Sequence, residues 1–592
     1  MAKKKRFRVG FAVGIVACLS VLGFLGARHA MWPGGPGAEA VSAYQDASGA
    51  LREAVMPDVW GSDYSVMPGG GSAVFITVSR DTEEVLPVIR HAVGKDVADA
   101  WDSVDKLVRD AFRSGEFEEG SVRYLKCDIV REAADIPYES VRDELSQHYI
   151  GMWPYGVAFD GGFDVALLQQ EWSHYRLYDP EQNNFLLSRL GPYLSGQYGQ
   201  ELESIPDTVT AFRCDSWLYD AADGSVTRLS GDDENYGIRD FELSRENLEL
   251  MVRTAGYYLV NNVTLGGRFE YAYWPQAMDY TSAYSTVRHI DALWALTQYF
   301  ELTGDDGVRD VLDAGIAFLE PYTLDFGDRG MYVRCSDRDE LPEEIRMGGS
   351  GLLLVVLSEY ERLFGSDAHR ALLDGVATGI LSQIQPDGHV PHVLNTDLSV
   401  SRDPWAQYYD GQTLLGLCYA YKTTGNPDYL DGAERIAGYD LAEGYATTGD
   451  HWFVLGMDAL TDILPDRAEY YEAGLLAIAR QDDLFETNQD PTRLEKLMGG
   501  FELYRRAVDN GILIPDEFDA DELVSAVRVQ AKDLLNCYLF PEKAMYSPVL
   551  DGIIGTFYTE VPDGWKIRID LIQHHMDAYY RMYCDYDKLF GT

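Results

Sequence analysis

From about residue 244 to the C-terminus, apolar residues follow helical spacing in two distinct patterns. The runs 352–357 and 414–421 are apolar almost all round, as expected of helices that are packed on every side. Around Val308 and Leu312, by contrast, the apolar residues form one stripe and charged residues occupy the opposite face. The alternation predicts inner helices that are buried on all sides, each paired with an outer helix that keeps one face in solvent.

The turns between these helices recur at a regular spacing in the sequence. Gly304, Gly365 and Gly425 are 61 and 60 residues apart, and each is followed within two residues by Asp, Ser or Asn. A glycine that ends one helix and a short polar residue that caps the next are typical of a tight helix–helix turn. A hairpin unit of about sixty residues, extended to residue 590, gives roughly six units. We therefore predict an (α/α)6 toroid over residues 244–590, with a seventh hairpin or an open arc as alternatives.

The part of the chain before this repeat has mixed signals. Strand-like runs occur at 73–79 and 122–130, and helical spacing at 97–113. Two further hairpins are predicted to turn at Asp160-Gly161-Gly162 and at Asp223-Gly224. These elements predict an α+β domain over residues 72–240, and nothing in its sequence indicates what it does.

The N-terminus has the pattern of a membrane anchor. Five cations lie within residues 3–8 and precede the 19 uncharged residues 9–27. Nineteen helical residues span a hydrocarbon core of roughly 30 Å, and flanking cations favour the cytoplasmic side. We expect a cytoplasmic basic tip at 1–8, a single transmembrane helix at 9–27 and a linker at 28–71. The body would then lie outside the cell membrane.

Two processing alternatives remain open for this segment. Leu25-Gly26-Ala27 could serve as a signal-peptide cleavage site, and the residues around Cys18 resemble a lipoprotein box. The unbroken apolar run after Cys18 favours an uncleaved anchor.

Composition excludes several classes of function. The 49 basic and 96 acidic residues give a net charge of −47, which is unsuited to binding the phosphates of nucleic acid. The 7 cysteines include no C-x-x-C pair, so neither a cysteine zinc site nor a disulfide framework is indicated. We expect no cofactor and no metal, because His389 and His392 lack a third ligand in the sequence.

Candidate chemistry lies where the inner helices begin, because these ends of a toroid face a common cleft. Aromatic rings stack on sugar faces, while carboxylates and guanidinium groups bind hydroxyls and uronates. Asp410 is also placed as an ordinary helix cap would be. The candidate catalytic residues are Tyr408, Tyr409, Asp410, Glu270 and Asp291. The candidate substrate-binding residues are Arg288, His289, Arg346, Trp405, Gln412, His389 and Trp452.

One pair of motifs carries a resemblance to a known family. Tyr409-Asp410-Gly411-Gln412 opens an inner helix and is followed by the turn Thr424-Gly425-Asn426-Pro427. This arrangement resembles the helical C-terminal domain of D-glucuronyl C5-epimerases and, more generally, the six-hairpin glycosidase superfamily. The resemblance implies a toroid fold, a carbohydrate substrate and catalytic roles for Tyr408, Tyr409 and Asp410. The epimerases carry a β-sandwich before their helices, whereas residues 72–240 here are of mixed type.

Three functions are compatible with these patterns. The first is an enzyme that hydrolyses or modifies a polysaccharide, with Asp410 and either Glu270 or Asp291 as acid and base. For a uronate substrate, Arg288 or Arg346 would neutralise the carboxylate while a Tyr or His moves the C5 proton. The second is a non-catalytic glycan-binding scaffold of the cell envelope. The third is a helical-repeat platform for another envelope protein.

Overall fold

The computed structural model describes residues 37–591, apart from short segments at 61, 68–69, 82–84, 115–120, 148–152, 233–234, 336–343, 403–407, 448, 482–483 and 562–563. The predicted basic tip and transmembrane helix, and the candidate residue Trp405, lie outside the described residues. Among the residues that are described, no helix is both long and apolar enough to cross a membrane.

An antiparallel sheet of seven strands organises the first part of the chain. The strands are β1 (Ser72–Arg80), β2 (Val88–Gly94), β3 (Val122–Pro137), β4 (Gly156–Ala158), β5 (Ala166–Leu167), β8 (Thr208–Asp220) and β9 (Val226–Arg228). Their order is β2-β1-β3-β8-β4-β5, with β9 paired to β8, while β6 (Tyr178–Asp179) and β7 (Asn184–Phe185) form a separate hairpin. The strands and both hairpin turns predicted from the sequence are confirmed.

Helices cover this sheet. They are α1 (Gly37–Val59), α2 (Val97–Ser114), α3 (Tyr138–Gln147), α4 (Gln169–His174) and α5 (Leu187–Tyr198). The apolar face of α2, including Trp101 and Val104, packs on the sheet with Leu51 and Val55 of α1. Helix α1 corrects the prediction of a linker over 28–71, because a stripe of its apolar side chains is buried in the core of the α+β domain.

The second part of the chain is a ring of paired helices. The inner helices are α7 (Thr286–Thr303), α9 (Met347–Phe364), α11 (Tyr409–Thr424), α13 (His451–Ile463), α15 (Pro491–Asp509) and α18 (Ile569–Cys584). The outer helices are α6 (Arg245–Asn261), α8 (Gly307–Phe318), α10 (Arg370–Gln383), α12 (Pro427–Glu443), α14 (Ala468–Ala479) and α16 (Ala520–Asp533). Two short helices, α17 (Pro541–Ala544) and α19 (Tyr586–Phe590), lie on either side of α18 in the sequence.

The ring is closed. Helix α7 packs against α9, α9 against α11, α11 against α13, α13 against α15, α15 against α18, and α18 returns to α7. The residues 352–357 on α9 are all buried, as are most of 414–421 on α11. The turn glycines Gly304, Gly365 and Gly425 each end an inner helix in the left-handed conformation. The predicted toroid of six hairpins is thus confirmed.

Short strands lie in the connections that lead into the inner helices. One sheet has the order β11-β10-β18-β17, formed by β10 (Ala272–Trp274), β11 (Asp279–Tyr280), β17 (Thr559–Val561) and β18 (Gly564–Arg568). The other runs from β12 to β16, formed by β12 (Thr323–Asp325), β13 (Met331–Cys335), β14 (Glu344–Arg346), β15 (Val393–Asn395) and β16 (Val400–Arg402). These sheets therefore lie at the end of the ring where the inner helices begin.

Candidate functional site

Two tryptophans lie inside the ring, between opposite inner helices. Trp294 belongs to α7 and Trp452 to α13, which are separated by two inner helices in either direction around the ring. Their ring centroids are 5.8 Å apart, and both side chains are buried. Because the contact spans the ring, the pair forms a floor across it, and Trp452 lies in the first turn of its helix.

A buried carboxylate lies beside two histidines next to this floor. Glu495 on α15 accepts a hydrogen bond from Nδ1 of His574 on α18, at 2.8 Å from Oε2. The same oxygen is 3.5 Å from Nε2 of His451 on α13. The imidazole centroids are 5.5 Å apart, and the His451 ring also lies 4.8 Å from that of Trp452. Three successive inner helices therefore bring an acid and two imidazoles together.

The two histidines titrate differently because their neighbours differ. Burial disfavours the charged form of His574, but the carboxylates of Glu495, Asp291 and Asp570 outweigh it and raise its pKa to about 9. Burial, together with repulsion from His574 and Lys496, lowers the pKa of His451 well below its ordinary value. At neutral pH the site therefore holds one imidazolium and one neutral imidazole.

Two aspartates extend the cluster towards α7. Asp570 bonds the guanidinium of Arg568, with Oδ2 at 2.9 Å from Nη2, and lies 2.9 Å from Nε of Arg288. Burial opposes ionisation of Asp570, yet these two cations hold its pKa below the usual value. Asp291 is buried without such a partner for Oδ1, and burial raises its pKa to about 7. Of these two aspartates, Asp570 is thus held ionised, whereas Asp291 titrates near neutrality.

Tyr408 is an aromatic residue at the edge of the same cleft. It caps the start of α11, is 47% exposed, and its ring centroid lies 5.9 Å from that of His451. An exposed ring beside polar groups is suited to stacking against a sugar face. The structure therefore places the predicted residues Tyr408, Trp452, Arg288 and Asp291 around the two histidines.

Asp410 forms a separate, buried cluster. Its Oδ2 accepts hydrogen bonds from Tyr445 at 2.6 Å and from Nε2 of His392 at 2.8 Å, and only 1% of the residue is exposed. Side chains of α11 lie close to α9 here, so that a Cβ on Gly348 would lie 2.0 Å from Oε1 of Gln412. Through these bonds Asp410 holds the loop before α11 in place. Its hydrogen-bond partners, His392 and Tyr445, differ from Asp570, the ion-pair partner of Arg288.

Four further residues predicted from the sequence do not contact the two histidines in the contacts described: His289, His389, Arg346 and Glu270. His289 is fully buried, bonded to the carbonyl of Gly315 at 2.9 Å and to Tyr284 at 2.6 Å, which corrects its assignment as a substrate-binding residue. His389 packs on Tyr439, and Arg346 caps the start of α9 from strand β14. Glu270 is partly buried and raises the pKa of Tyr280, after the larger effect of burial.

Sequence reasoning missed Glu495 and His574, although His574 is the sixth residue of its helix, the same position that the predicted Asp291 occupies on α7. A signal for them exists. Each is an ionisable residue on a helix whose pattern predicts burial on all sides, where an ionisable group requires a partner.

Within the part of the chain that the structure describes, the same three residues form a group that could hold a metal ion. The ligand atoms of His451, Glu495 and His574 all lie within 4.8 Å of one another. Two imidazoles and one carboxylate form a donor set that suits zinc, at about 2.0–2.2 Å from each atom. Two of these ligand atoms, Nδ1 of His574 and Oε2 of Glu495, are 2.8 Å apart, within hydrogen-bonding distance.

Neither a family model nor a curated protein sequence matches this chain. Among solved structures, it is similar to a sugar epimerase from a ruminal bacterium, with a TM-score of 0.46 and 12% identity over 57% of this chain and 98% of that one. It is also similar to a D-mannose isomerase, with a TM-score of 0.45 and 13% identity over 58% of this chain and 99% of that one. A third is an unsaturated glucuronyl hydrolase specific for heparin, with a TM-score of 0.42 and 13% identity over 58% and 99%. The architecture itself is established by the contacts between the helices.

Proposed function

We propose that this protein is a carbohydrate-modifying enzyme that works by acid–base chemistry in the cleft at the start of the inner helices. The observation that carries the proposal is the arrangement of His451 and His574, held on separate helices beside one buried carboxylate, Glu495. A neutral and a charged imidazole a few ångströms apart can remove one proton and supply another in the same step. The aromatic floor and rim provide surfaces for a sugar ring.

The chemistry follows from the protonation states. Neutral His451 is suited to take a proton from the sugar carbon next to a carbonyl group, whose C–H electron pair then forms the enediol double bond. The imidazolium of His574 is suited to give its proton to the carbonyl oxygen as the C=O double bond becomes single. Protonation of the enediol at the neighbouring carbon yields an isomer, and protonation of the same carbon from the opposite face yields an epimer, so the reaction needs no external oxidant or reductant.

Glycoside hydrolysis is the second candidate, and the surroundings of Asp291 favour it. A buried carboxyl group with a raised pKa can protonate a leaving oxygen, while an ionised carboxylate such as Asp570 stabilises or attacks the sugar. Asp570 is already paired with two guanidinium groups, those of Arg288 and Arg568, and these positive charges reduce its capacity as a nucleophile. Isomerisation or epimerisation is therefore the better supported reaction.

A uronate substrate is a variant of either reaction. The guanidinium groups of Arg288 and Arg568 both lie at Asp570, and the side chain of Arg288 is 39% exposed. A substrate carboxylate could bind to the exposed part of the Arg288 guanidinium through charge-assisted hydrogen bonds.

A substrate panel tests the proposed activity. Neutral and uronate mono- and oligosaccharides are incubated with the protein, and the products are separated to distinguish isomers from released reducing ends. We expect turnover of at least one sugar, and a loss of about 10²–10⁴-fold in His574→Ala. Equal turnover in the variant and the wild type contradicts the proposal. A metal chelator should leave the rate unchanged. Loss of activity with the chelator and its recovery with Zn²⁺ would instead show that His451, Glu495 and His574 bind a metal ion.

We also propose that the enzyme works outside the cell membrane, tethered by residues 9–27. The support is the sequence pattern of cations before an apolar run. Protease added to intact spheroplasts should digest the body of the protein. Full protection of the body, with digestion only after lysis, contradicts this topology.

A further inference from the structure

A second cavity lies between the α+β domain and the helical ring. Its volume is about 1150 Å³, somewhat larger than the roughly 300–1,000 Å³ of small-molecule sites. One wall comes from the later part of β3, from α3 and from Trp153, Tyr155 and Tyr236. The other comes from α16 and from the segments that carry Gln489 and Trp565. We call this cavity the interdomain groove.

The wall from the α+β domain is aromatic. The rings of Trp153 and Tyr155 lie 5.2 Å apart. The guanidinium of Arg213 lies 5.7 Å from the ring of Tyr155 and 4.9 Å from that of Tyr236, which fixes both rings. Tyr155 and Tyr236 are each partly exposed. Fixed, partly exposed rings beside amide side chains are the lining that a chain of sugar units requires.

The wall from the ring is built on segments that continue into the helices of the proposed cleft. Gln489 is two residues before Pro491, where α15 starts, and Glu495 lies one turn further along the helix. Trp565 lies on β18, which runs into α18 and so to Asp570 and His574. The groove and the cleft therefore share the two segments that present Glu495 and His574, and both lie at the same end of the ring.

The charge of the groove indicates which chains it accepts. Its ionisable lining residues are three acids and three bases: Glu132, Glu144, Asp533, Arg528, Lys532 and Lys543. The ammonium of Lys543 already bonds the carbonyl of Asn536 at 2.6 Å and the hydroxyl of Tyr558 at 3.1 Å. A balanced lining on a strongly acidic protein suits neither a polyanion nor a basic peptide.

We propose that the interdomain groove binds a neutral oligosaccharide chain whose terminal unit occupies the cleft in the ring. The inference rests on the proposed carbohydrate function and adds its substrate class, namely chains of several units. In this arrangement the α+β domain contributes the distant subsites, and binding strength increases with chain length until the groove is filled.

Binding can be measured separately from turnover. Calorimetry with the full chain uses linear α-mannan and β-glucan oligosaccharides of one to six units, and oligogalacturonides as the anionic comparison. The same titrations with His574→Ala keep the groove intact while removing the proposed acid. We expect affinity to rise with length for one neutral series, and Tyr155→Ala to weaken the longest chain by about tenfold without affecting the single sugar.

A second variant tests the groove if Tyr155→Ala does not fold, and a third variant serves as the control. Thr487 is exposed on the opposite wall, so Thr487→Trp fills the groove without removing a core residue and should have the same length-dependent effect. Tyr257→Ala, at a 59% exposed position on α6, should change nothing.

The outcomes separate the two proposals. Length-dependent binding without turnover retains the groove and contradicts the proposed function. Four other results contradict binding of a neutral chain in the interdomain groove. They are turnover of short sugars with affinity independent of chain length, an equal loss of affinity at all lengths in the groove variants, tighter binding of oligogalacturonides, and no binding of any neutral chain.

Discussion

At the level of single residues, the central feature is the position of Glu495 beside two imidazoles, those of His574 and His451, whose pKa values differ. It bonds His574 and is nearly in contact with His451, although it is itself fully buried. Burial raises the pKa of Glu495 and the charge of His574 opposes this. The Glu495 carboxylate is the largest favourable influence on the His574 imidazolium, and it is therefore the main reason why the pKa of His574 is raised.

The pH–rate profile tests this role. Activity requires protonated His574, whose pKa is raised to about 9, and neutral His451, whose pKa is lowered. We expect kcat to fall as pH rises through about 9, and to fall on the acid side only well below pH 6.5. In Glu495→Gln the alkaline limb should move towards or below pH 6.5. An unchanged alkaline limb in the variant would show that Glu495 does not set the protonation of His574.

Asp410 is the matching test of a positioning residue. Its Oδ2 accepts two hydrogen bonds, while Oδ1 is buried without a partner. In Asp410→Asn an amide NH2 group must face either the two donors or that unbonded position, at a cost of about 1–3 kcal/mol. We expect a lower free energy of unfolding by denaturant, with kcat within a few-fold of wild type. Asp428→Asn, on the exposed first turn of α12, is the control and should be nearly neutral. A fully stable but inactive Asp410→Asn would restore Asp410 to the catalytic role.

The sequence predicts which helix ends matter but not which side chains meet there. Arg288 and Asp291 follow from the rule that inner-helix starts face the cleft, and the structure brings both to Asp570 or its neighbours. His289 lies between them in sequence, yet it points into the wall between α7 and α8, because a helix turns about 100° per residue. The rotation of an inner helix cannot be fixed from a pattern that is apolar all round.

At the level of elements, the close approach of α9 and α11 is set by glycines. A Cβ on Gly351 would lie 2.4 Å from the carbonyl oxygen of Gln412, and one on Gly416 would lie 2.2 Å from that of Gly351. Both contacts are with backbone, which cannot move aside without separating the helices. The same contact places Gly348 against Gln412 and Tyr409, so the spacing of the two helices also shapes the start of α11.

Gly351→Ala should therefore destabilise the ring. The added methyl group overpacks a helix–helix contact, and we expect a loss of about 1–3 kcal/mol in the free energy of unfolding, measured with denaturant. Gly438→Ala is the control, because this exposed position on α12 has nothing within 4 Å of the added Cβ. It should be stabilising by roughly 0.5–1 kcal/mol. A neutral Gly351→Ala would mean that the two helices are not in close contact.

The order of helices was predictable because repeat spacing is a local signal. Gly304, Gly365 and Gly425 need the left-handed conformation at helix ends, a requirement that sequence shows directly. Helix α1 was missed because Pro and Gly around residues 33–37 indicated a spacer, while the burial of Leu51 and Val55 depends on the sheet that they meet.

At the scale of the whole molecule, the α+β domain and the ring are joined by polar contacts and by apolar ones, such as Met545 and Tyr546 packed against the sheet. Arg239 bonds both oxygens of the fully buried carboxylate of Glu542, with Nη2 at 2.8 Å from Oε2. Elsewhere the ring of His174 packs on Trp565 at 4.5 Å. Arg239 and Glu542 are 303 residues apart. No periodic pattern links such distant positions, so the sequence could not indicate the interface or the groove beside it.

Arg239→Ala should uncouple the two parts. It leaves the buried Glu542 without its cation, at a cost of about 3–5 kcal/mol. We expect calorimetric unfolding in two transitions in place of one. Arg480→Ala, which removes an exposed ion pair with Glu517, should change stability by less than about 1 kcal/mol. A single, unshifted transition in Arg239→Ala would show that this pair does not hold the domains together.

The most direct test of the central claim is a crystal structure of His574→Ala with an oligosaccharide that the wild-type enzyme turns over. The account predicts that the terminal sugar lies on the floor formed by Trp294 and Trp452, with the atoms that react within hydrogen-bonding distance of His451 and of the space left by the His574 imidazole. It also predicts that the following units extend into the interdomain groove. A sugar bound at another place on the molecule, with the cleft beside Glu495 closed by the protein's own side chains, would contradict it.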